Sequence, residues 1–424
     1  MAGDEPEQRL AVVGQGYVGL PLAMRAVEVG YDVIGFDVDD AKVESLRHAR
    51  TYIDDVTDTD LASALSTGRF HPSADAAELA GFDVAVVTVP TPLRDGAPDL
   101  RHVESAASLL STHVNPGCCV ILESTTYPGT TEGVFIPLLE ANNSLRAGRD
   151  YRVGYSPERI DPSNPTWNFR NTPKIVSGID EVSTKAVTDF YAELCDRVVP
   201  VGNTREAELA KLLENTFRHV NIALVNELAM FCHGLGIDVW KVVDAAATKP
   251  FGFMSFTPGP GVGGHCLPID PSYLSWQVRR SLGQNFRFIE TANDINDHMP
   301  DYVVARAVEH LNEMRKSVRD SVILLIGLSY KRNSGDARQS PALVVARRLH
   351  QLGARLRAVD PLVDVGLMPP EICLVDGTPE SIAGADLVIV LTDHDALPWD
   401  VLEQHADRVL DTRNRLRSEV VNRL

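Results

Sequence analysis

RLAVVGQGYVG, residues 9–19, is the stretch that decides how this chain folds. Residues 9–13 are an apolar run that reads as a buried strand, and residues 17–29 read as a helix. Gly14, Gly16 and Gly19 set G-x-G-x-x-G between the two. Such glycines permit a tight turn, close approach of a pyrophosphate and packing of the helix, whose N-terminus supplies N–H donors and a partial positive charge. The next strand, in YDVIGFDVD (31–39), carries Asp37, 18 residues beyond the last glycine. A carboxylate there accepts from both ribose hydroxyls and repels a ribose phosphate, so the turn is read as a site for NAD rather than NADP.

Working outward, further apolar strands are expected in DVAVVTVP (83–90), CCVILES (118–124), YRVGYSP (151–157) and DRVVPV (196–201). Helical patterns lie between the earlier ones, and unbroken apolar strands alternating with helices indicate a parallel sheet covered on both faces. Residues 204–246 keep helical periodicity almost throughout and read as one long helix. Its apolar positions Leu209, Leu212, Leu213, Phe217, Val220, Leu224 and Leu228 are assigned to core packing. The helix as a whole has more apolar surface than one chain covers, so a homodimer built on it is expected. Strand and helix then alternate again through SVILLIGLSYK (321–331), PALVVARRLHQLG, ARLRAVDP, DLVIVLTDH (386–394) and RVLDTRN (408–414), without a second G-x-G-x-x-G. The expected fold class is α/β, with two Rossmann-like doubly wound parallel-sheet domains joined by a long central helix. The boundaries are 1–202 for the NAD domain, 203–300 for the central dimerising segment with a cysteine loop, and 301–424 for a nucleotide-sugar domain.

A net charge of −18 argues against nucleic acid or an anionic membrane surface as partner, since both need a basic face. Any phosphate has to be held by local cations. The six cysteines form no C-x-x-C pair and no His/Cys cluster at zinc spacing, which suits a reducing cytoplasm and suggests no metal site. MAGDEPEQRL lacks the basic and apolar regions of a signal peptide, and no apolar run reaches the length of a membrane span.

Cys266 lies in PGPGVGGHCLPIDPSYL, residues 258–274. Glycine and proline let backbone approach a ligand closely and fix its course, so the thiol reads as placed for a substrate. A buried small hydrophobe is the plainer alternative. A nicotinamide cofactor beside a nucleophilic thiol points to oxidation through an aldehyde held on sulfur, ending at an acid.

From about residue 9 to residue 414 the chain resembles the nucleotide-sugar 6-dehydrogenases. The resemblance rests on VVGQGYVGLPLA, VPTPL, ESTTYPGTTE, YSPERIDP, EAELAKLLENTFRHVNIALVNEL, PGPGVGGHCLPIDP, GLSYKRNSGDARQSPAL and VLDTRN, in that order. It implies that Cys266 attacks the aldehyde formed at carbon six, that the thiohemiacetal gives hydride to a second NAD, and that the thioester is hydrolysed. Lys211 and Asn215, four apart on one helix, resemble the pair that stabilises the developing oxyanion. Glu158 matches the glutamate that activates water, Thr125 a threonine that positions water beside the nicotinamide, and Asp270 an acid paired with the catalytic base system. The resemblance also assigns Tyr17, Val18, Lys42, Pro90, Thr91 and Arg338 to the cofactor. To the nucleotide sugar it assigns Lys331 and Arg413, with Arg159, Lys249, Gly263 and Tyr330 beside them.

Three departures from the UDP-glucose branch bear on the sugar. Ile269 stands where that branch often has lysine, SPERIDP lacks a second glutamate, and Lys249 lies near the place of an arginine shared across the dimer. These features resemble the bacterial members that oxidise N-acetylhexosamines. UDP-glucose, UDP-N-acetylhexosamine and dTDP-glucose remain open as substrates. Two rival readings are a single-step dehydrogenase of the hydroxyacyl or phosphogluconate type and a silent NAD-binding regulatory dimer.

Overall fold

The computed structural model describes residues 8–53, 55–161, 164, 166–264 and 267–424. Cys266 and its neighbour His265 lie outside the described residues. The chain divides into two compact units, Met1–Glu214 with Ser272–Gly283 and Asn215–Pro271 with Gln284–Leu424.

The first unit is built on β1 (Arg9–Val13), β2 (Asp32–Phe36), β3 (Phe70–Ser73), β4 (Val84–Val87), a small hairpin of β5 (Leu93–Arg94) and β6 (Ala97–Pro98), β7 (Cys119–Leu122), β8 (Arg152–Tyr155), β9 (Lys174–Gly178) and β10 (Val198–Pro200). Apart from the hairpin they form one eight-stranded sheet in the order β10-β9-β8-β7-β4-β1-β2-β3. Its helices are α1 (Gly19–Val29), α2 (Asp40–Arg47), α3 (Asp58–Ser66), α4 (Arg101–Leu110), α5 (Ile136–Leu139) and α6 (Glu181–Leu194). Alternate residues of β1 enter different cores: Leu10 and Val12 pack with Leu20, Leu22 and Phe70, whereas Ala11 and Val13 pack with Val103, Leu110 and Phe135. Two buried faces are why the strand is apolar without interruption.

The sheet is not wholly parallel, which corrects the expectation. β9, absent from the sequence reading, pairs antiparallel with β8, and β10 runs parallel to β9. A parallel return needs a crossover, usually helical, and among the described residues no helix lies between β8 and β9. Helix α6 supplies one between β9 and β10, so that pair is parallel.

The second unit has β11 (Val322–Ile326), β12 (Arg355–Val359), β13 (Ile372–Leu374), β14 (Leu387–Val390), β15 (Val409–Asp411) and β16 (Asn422–Arg423), all parallel, in the order β13-β12-β11-β14-β15-β16. Ile323 and Leu325 face one core and Leu324 and Ile326 the other. The strand order reverses at β11/β14 here and at β1/β4 in the first unit. Ligands of open α/β sheets bind at such a switch, beyond the carboxyl ends of the strands.

The long helical stretch breaks where one helix was expected. Helix α7 (Thr204–Leu235) ends at Gly236, whose φ of 68° leaves the helical region, and α8 (Val239–Ala247) restarts on Asp238, which accepts from the N–H groups of Trp240 and Lys241. Helices α9 (Asp270–Leu282) and α10 (Arg287–Glu313) follow. Leu212 is buried, but Leu209, Leu213, Phe217 and Leu224 are exposed, Leu213 to 61%. Core packing is therefore wrong for these four. Periodicity tells which residues share a face, not whether the chain's own core covers that face.

Candidate active site

Glycine 14 leaves β1 at φ 100°, and a Cβ there would lie 3.0 Å from the carbonyl oxygen of Thr88. A Cβ on Gly19 would fall 1.9 Å from the Gly14 carbonyl oxygen, so α1 packs this closely only with glycine. Gly16 differs: a Cβ there meets nothing within 4 Å. Its smallness answers no demand of the protein and suits a ligand drawn against the backbone. Helix α1 begins at Val18 with no side-chain cap and no acidic residue in its first turn, which leaves N–H donors for an anion.

Asp37 is buried at the end of β2, its Oδ2 accepting from Gln15 N at 2.8 Å and its Oδ1 from Asp39 N at 3.0 Å. Lys42 Nζ stands 3.8 Å from Asp37 Oδ2. Thr88, which the sequence reading missed, donates from Oγ1 to the Gly14 carbonyl at 2.8 Å and ties β4 to the turn. Tyr17 is exposed, Val18 half-buried, and Pro90 and Thr91 follow β4, where the Thr91 carbonyl accepts from Tyr273 OH. These residues fit the pyrophosphate and ribose of a dinucleotide.

Thr125, half-buried, follows β7 next to Ser124, which donates to the Val89 carbonyl at 2.8 Å. In the same unit a buried set of charges gathers around Glu158. Its Oε1 accepts from Arg159 N at 2.6 Å and from Ile160 N, and its Oε2 lies 3.4 Å from Lys174 Nζ. Lys174 also pairs with Glu123, and Tyr191 OH donates to Glu123 Oε2 at 2.6 Å. Burial alone pushes the Glu158 carboxyl up. The charge of Lys174, hydrogen bonds from Glu123 and the Ile160 N–H, and the charge of Lys211 outweigh it and hold the group below the usual carboxylate range. Arg159 forks onto Glu214, with Nη2 2.7 Å from Oε1.

Sequence reading found Glu158 but not Glu123, Lys174 or Tyr191. The available signal was a charged residue abutting an otherwise apolar strand, in CCVILES and PKIVSG. No spacing rule pairs residues 123 and 174.

Asn215 and Asp270 belong to the second unit, where Asn215 Nδ2 donates to the buried Asp270 Oδ2 at 2.5 Å. Lys211 is buried one turn before Asn215 on α7. The glycines ahead of Cys266 lie close to the protein's own side chains and backbone. A Cβ on Gly259 would lie 2.7 Å from Arg413 Nη1. On Gly263 it would lie 2.8 Å from the Gln339 carbonyl oxygen, and on Gly264, at φ 86°, 2.7 Å from the Tyr330 ring. The loop is also tied to helices: Gly259 N donates to Asn226 Oδ1 at 2.9 Å, and Asn226 Nδ2 donates to Asn296 Oδ1 at 2.9 Å.

Tyr330 and Lys331 follow β11, and Arg413 follows β15, all at carboxyl ends of strands. Arg413 donates from Nε to the Leu391 carbonyl at 2.8 Å, and burial pulls its guanidinium down despite nearby Asp393 and Asp411. A buried network unseen in the sequence braces this end of the sheet. His394 Nε2 lies 3.1 Å from both Asp360 Oδ2 and Ser329 Oγ, and Asn333 N donates to His394 Nδ1 at 2.9 Å. Arg338 forks onto Asp336 at 2.9 Å on each prong, and Lys249 is exposed over the Phe251 ring.

A dinucleotide turn in one Rossmann-like unit, and in the other a cation-bearing switch point with no glycine fingerprint, define a two-site dehydrogenase. Comparison with known proteins supplies the family. Sequence models of the UDP-glucose/GDP-mannose dehydrogenase family match throughout: its NAD binding domain over residues 8–195, its central domain over 205–298 and its UDP binding domain over 324–418. The chain belongs to this family, whose NAD binding domain makes NAD the cofactor.

Among its relatives, the UDP-N-acetyl-D-mannosamine dehydrogenase of Pyrococcus horikoshii is 32% identical over 97% of each chain. The UDP-N-acetyl-D-glucosamine 6-dehydrogenase of Pseudomonas aeruginosa is 36% identical over 84% of this chain and 83% of its own. A solved structure of the UDP-D-ManNAc dehydrogenase from Pyrococcus horikoshii superposes with a TM-score of 0.88 at 31% identity, covering 98% of this chain and 99% of that one. A nucleotide sugar is therefore the substrate class. Among the described residues no helix is long and apolar enough to cross a membrane.

Proposed function

We propose that this protein is a nucleotide-sugar 6-dehydrogenase that oxidises the C6 hydroxymethyl of a UDP-hexose to a carboxylate. One UDP-hexose, two NAD and one water give the UDP-uronate, two NADH and three protons. When bound at the Gly14–Gly19 turn, NAD supplies the hydride acceptor. Cys266 is assigned as the nucleophile: its thiolate adds to the C6 aldehyde, and loss of hydride from that adduct leaves a thioester. Lys211 and Asn215 stabilise the oxygen on C6 as negative charge develops there, with Asp270 fixing the Asn215 amide. Glu158 takes a proton from the water that attacks the thioester, while the C–S bond breaks and Cys266 leaves as thiolate.

The observation that carries this reading is Glu158 itself, a buried carboxylate kept ionised by cations and pinned by two backbone N–H groups. A single-step dehydrogenase has no use for such a base beside the family's thiol motif. Lys331 and Arg413 are assigned to the diphosphate, Arg338 to the cofactor, and Arg159, Lys249, Gly263 and Tyr330 to the rest of the nucleotide sugar. The relatives' names and the departures at Ile269 and Lys249 favour a UDP-N-acetylhexosamine over UDP-glucose or dTDP-glucose. A second copy of the chain is assigned to the apolar stripe on α7, and the free cysteines suit the cytoplasm.

The test counts NADH against acid formed from UDP-N-acetylglucosamine, UDP-N-acetylmannosamine, UDP-glucose and dTDP-glucose. Two NADH per acid are expected; one NADH with a carbonyl product would return the single-step reading. Cys266→Ala should form no acid, and Glu158→Gln should accumulate a covalent acyl-enzyme visible by intact-protein mass spectrometry.

A further inference from the structure

The buried surroundings of Glu158 contain more charge than its proposed role uses. Glu123 and Lys174 have side chains 0% and 4% exposed, and that of Glu158 is 11% exposed. Lys174 Nζ lies between the two carboxyl groups, paired with Glu123 and 3.4 Å from Glu158 Oε2, with the rings of Phe169 and Tyr191 at 5.3 Å and 5.0 Å. Tyr191 donates to Glu123 from α6, and Lys211 faces Glu158 from α7. The Cys195 thiol, pushed up to about 12 by burial, stays uncharged beside them. Two carboxylates and one ammonium leave the trio itself with one net negative charge, offset only from outside it by Lys211 beside Glu158, and dry interiors do not hold such a charge without cost. One added proton makes the trio neutral.

We propose that Glu123 and Lys174 are positioning residues for Glu158: the two carboxyl groups share one proton, which rests on Glu123, and Lys174 keeps Glu158 ionised to receive the proton of the hydrolytic water. The trio rests on the role given to Glu158 above and extends it to two residues that touch neither substrate nor cofactor in that scheme. Directions of titration agree: burial and the neighbouring Glu158 charge raise the Glu123 carboxyl, against the pull of Lys174, while Glu158 is lowered.

The experiment has two readouts. Infrared difference spectra of wild type minus Glu123→Gln at neutral pH should show a protonated carboxyl band in the wild type; its absence would mean a doubly ionised pair and overturn the proposal. This readout needs no turnover, so it stands apart from the thioester scheme. The second is the pH dependence of acyl-enzyme hydrolysis in a single turnover. Lys174→Met removes the cation, and the acid limb should move up by about 1–3 pH units, the span expected for an opposite charge at this range. Glu123→Gln, which keeps an acceptor for Tyr191, should not raise the limb. The Glu123→Gln/Lys174→Met pair removes the cation and exchanges a neutral carboxyl for a neutral amide, and serves if Lys174→Met alone does not fold. It should move the limb up by about 1–3 units, as Lys174→Met does, because the proton on Glu123 already makes that group neutral. A rate lowered equally at every pH by either lysine variant would make the trio merely structural. Failure of the wild type to form any acyl-enzyme would instead sink the role of Glu158, leaving the infrared result to judge the shared proton.

Discussion

Asp37 shows how much one side chain decides. It is held by Gln15 N and Asp39 N, with Lys42 3.8 Å away, and the proposed reading gives its carboxylate to the ribose hydroxyls. Asp37→Ala should raise the KM for NAD about tenfold or more, the scale of a lost hydrogen bond to a charged group. The half-buried Lys42 should then make NADP usable, and steady-state kinetics with both cofactors would check this. Unchanged NAD kinetics in the variant would remove Asp37 from the ribose site. The residues legible in the sequence are those whose partners are nearby in the chain or whose spacing is a motif, such as Gly14, Gly16 and Gly19. Glu123, Lys174 and Tyr191 meet only through the sheet and α6, and so were invisible.

At the scale of elements, α7 carries its unexplained surface as a stripe. Leu213, Phe217, Leu224, Phe231 and Leu235 are all exposed and recur at intervals of four and seven, one face of the helix. If a second copy covers the stripe, Leu224→Arg with Phe231→Arg should weaken the dimer by about a hundredfold or more, since each buried side chain of this size contributes ~1.5–3 kcal/mol. Sedimentation velocity across a dilution series would show monomer; an intact dimer would place the interface elsewhere. Where α7 meets α10, His219 Nε2 lies 2.8 Å from Asn293 Oδ1, and burial lowers its pKa against the pull of Asn293 and Asp297. The folded protein thus keeps His219 neutral while the unfolded chain protonates it near pH 6.5. Stability should fall as pH drops below about 6.5, because the unfolded state binds more protons there. His219→Gln should flatten that part of the Tm-versus-pH curve; identical slopes would discount the histidine.

For the whole molecule, the two doubly wound sheets were legible because strand, turn and helix are local signals repeated along the chain. The run of β9 and β10 against the rest of the sheet was not, since direction depends on whether the link from β8 contains a crossover helix, and apolar periodicity says nothing of links. Exposure of α7 escaped for a similar reason: a helix records its faces in sequence but not what lies opposite. The glycine loop adds a second reason for its composition that the sequence does not show, because Tyr330, Gln339 and Arg413 lie close to three of its glycines.

That crowding bears on how the enzyme can change. Gly259, Gly263 and Gly264 are each hemmed in by the scaffold, and Gly261 sits at φ 127° with Pro341 and Asn296 close by. A saturation library across 259–264 should return glycine most strictly at 261, 263 and 264, where positive φ or a backbone oxygen stands against a side chain, whatever sugar was used for selection. New specificity is then expected from residues that line the ligand without bearing on this packing, and the route to a different sugar runs around the loop rather than through it.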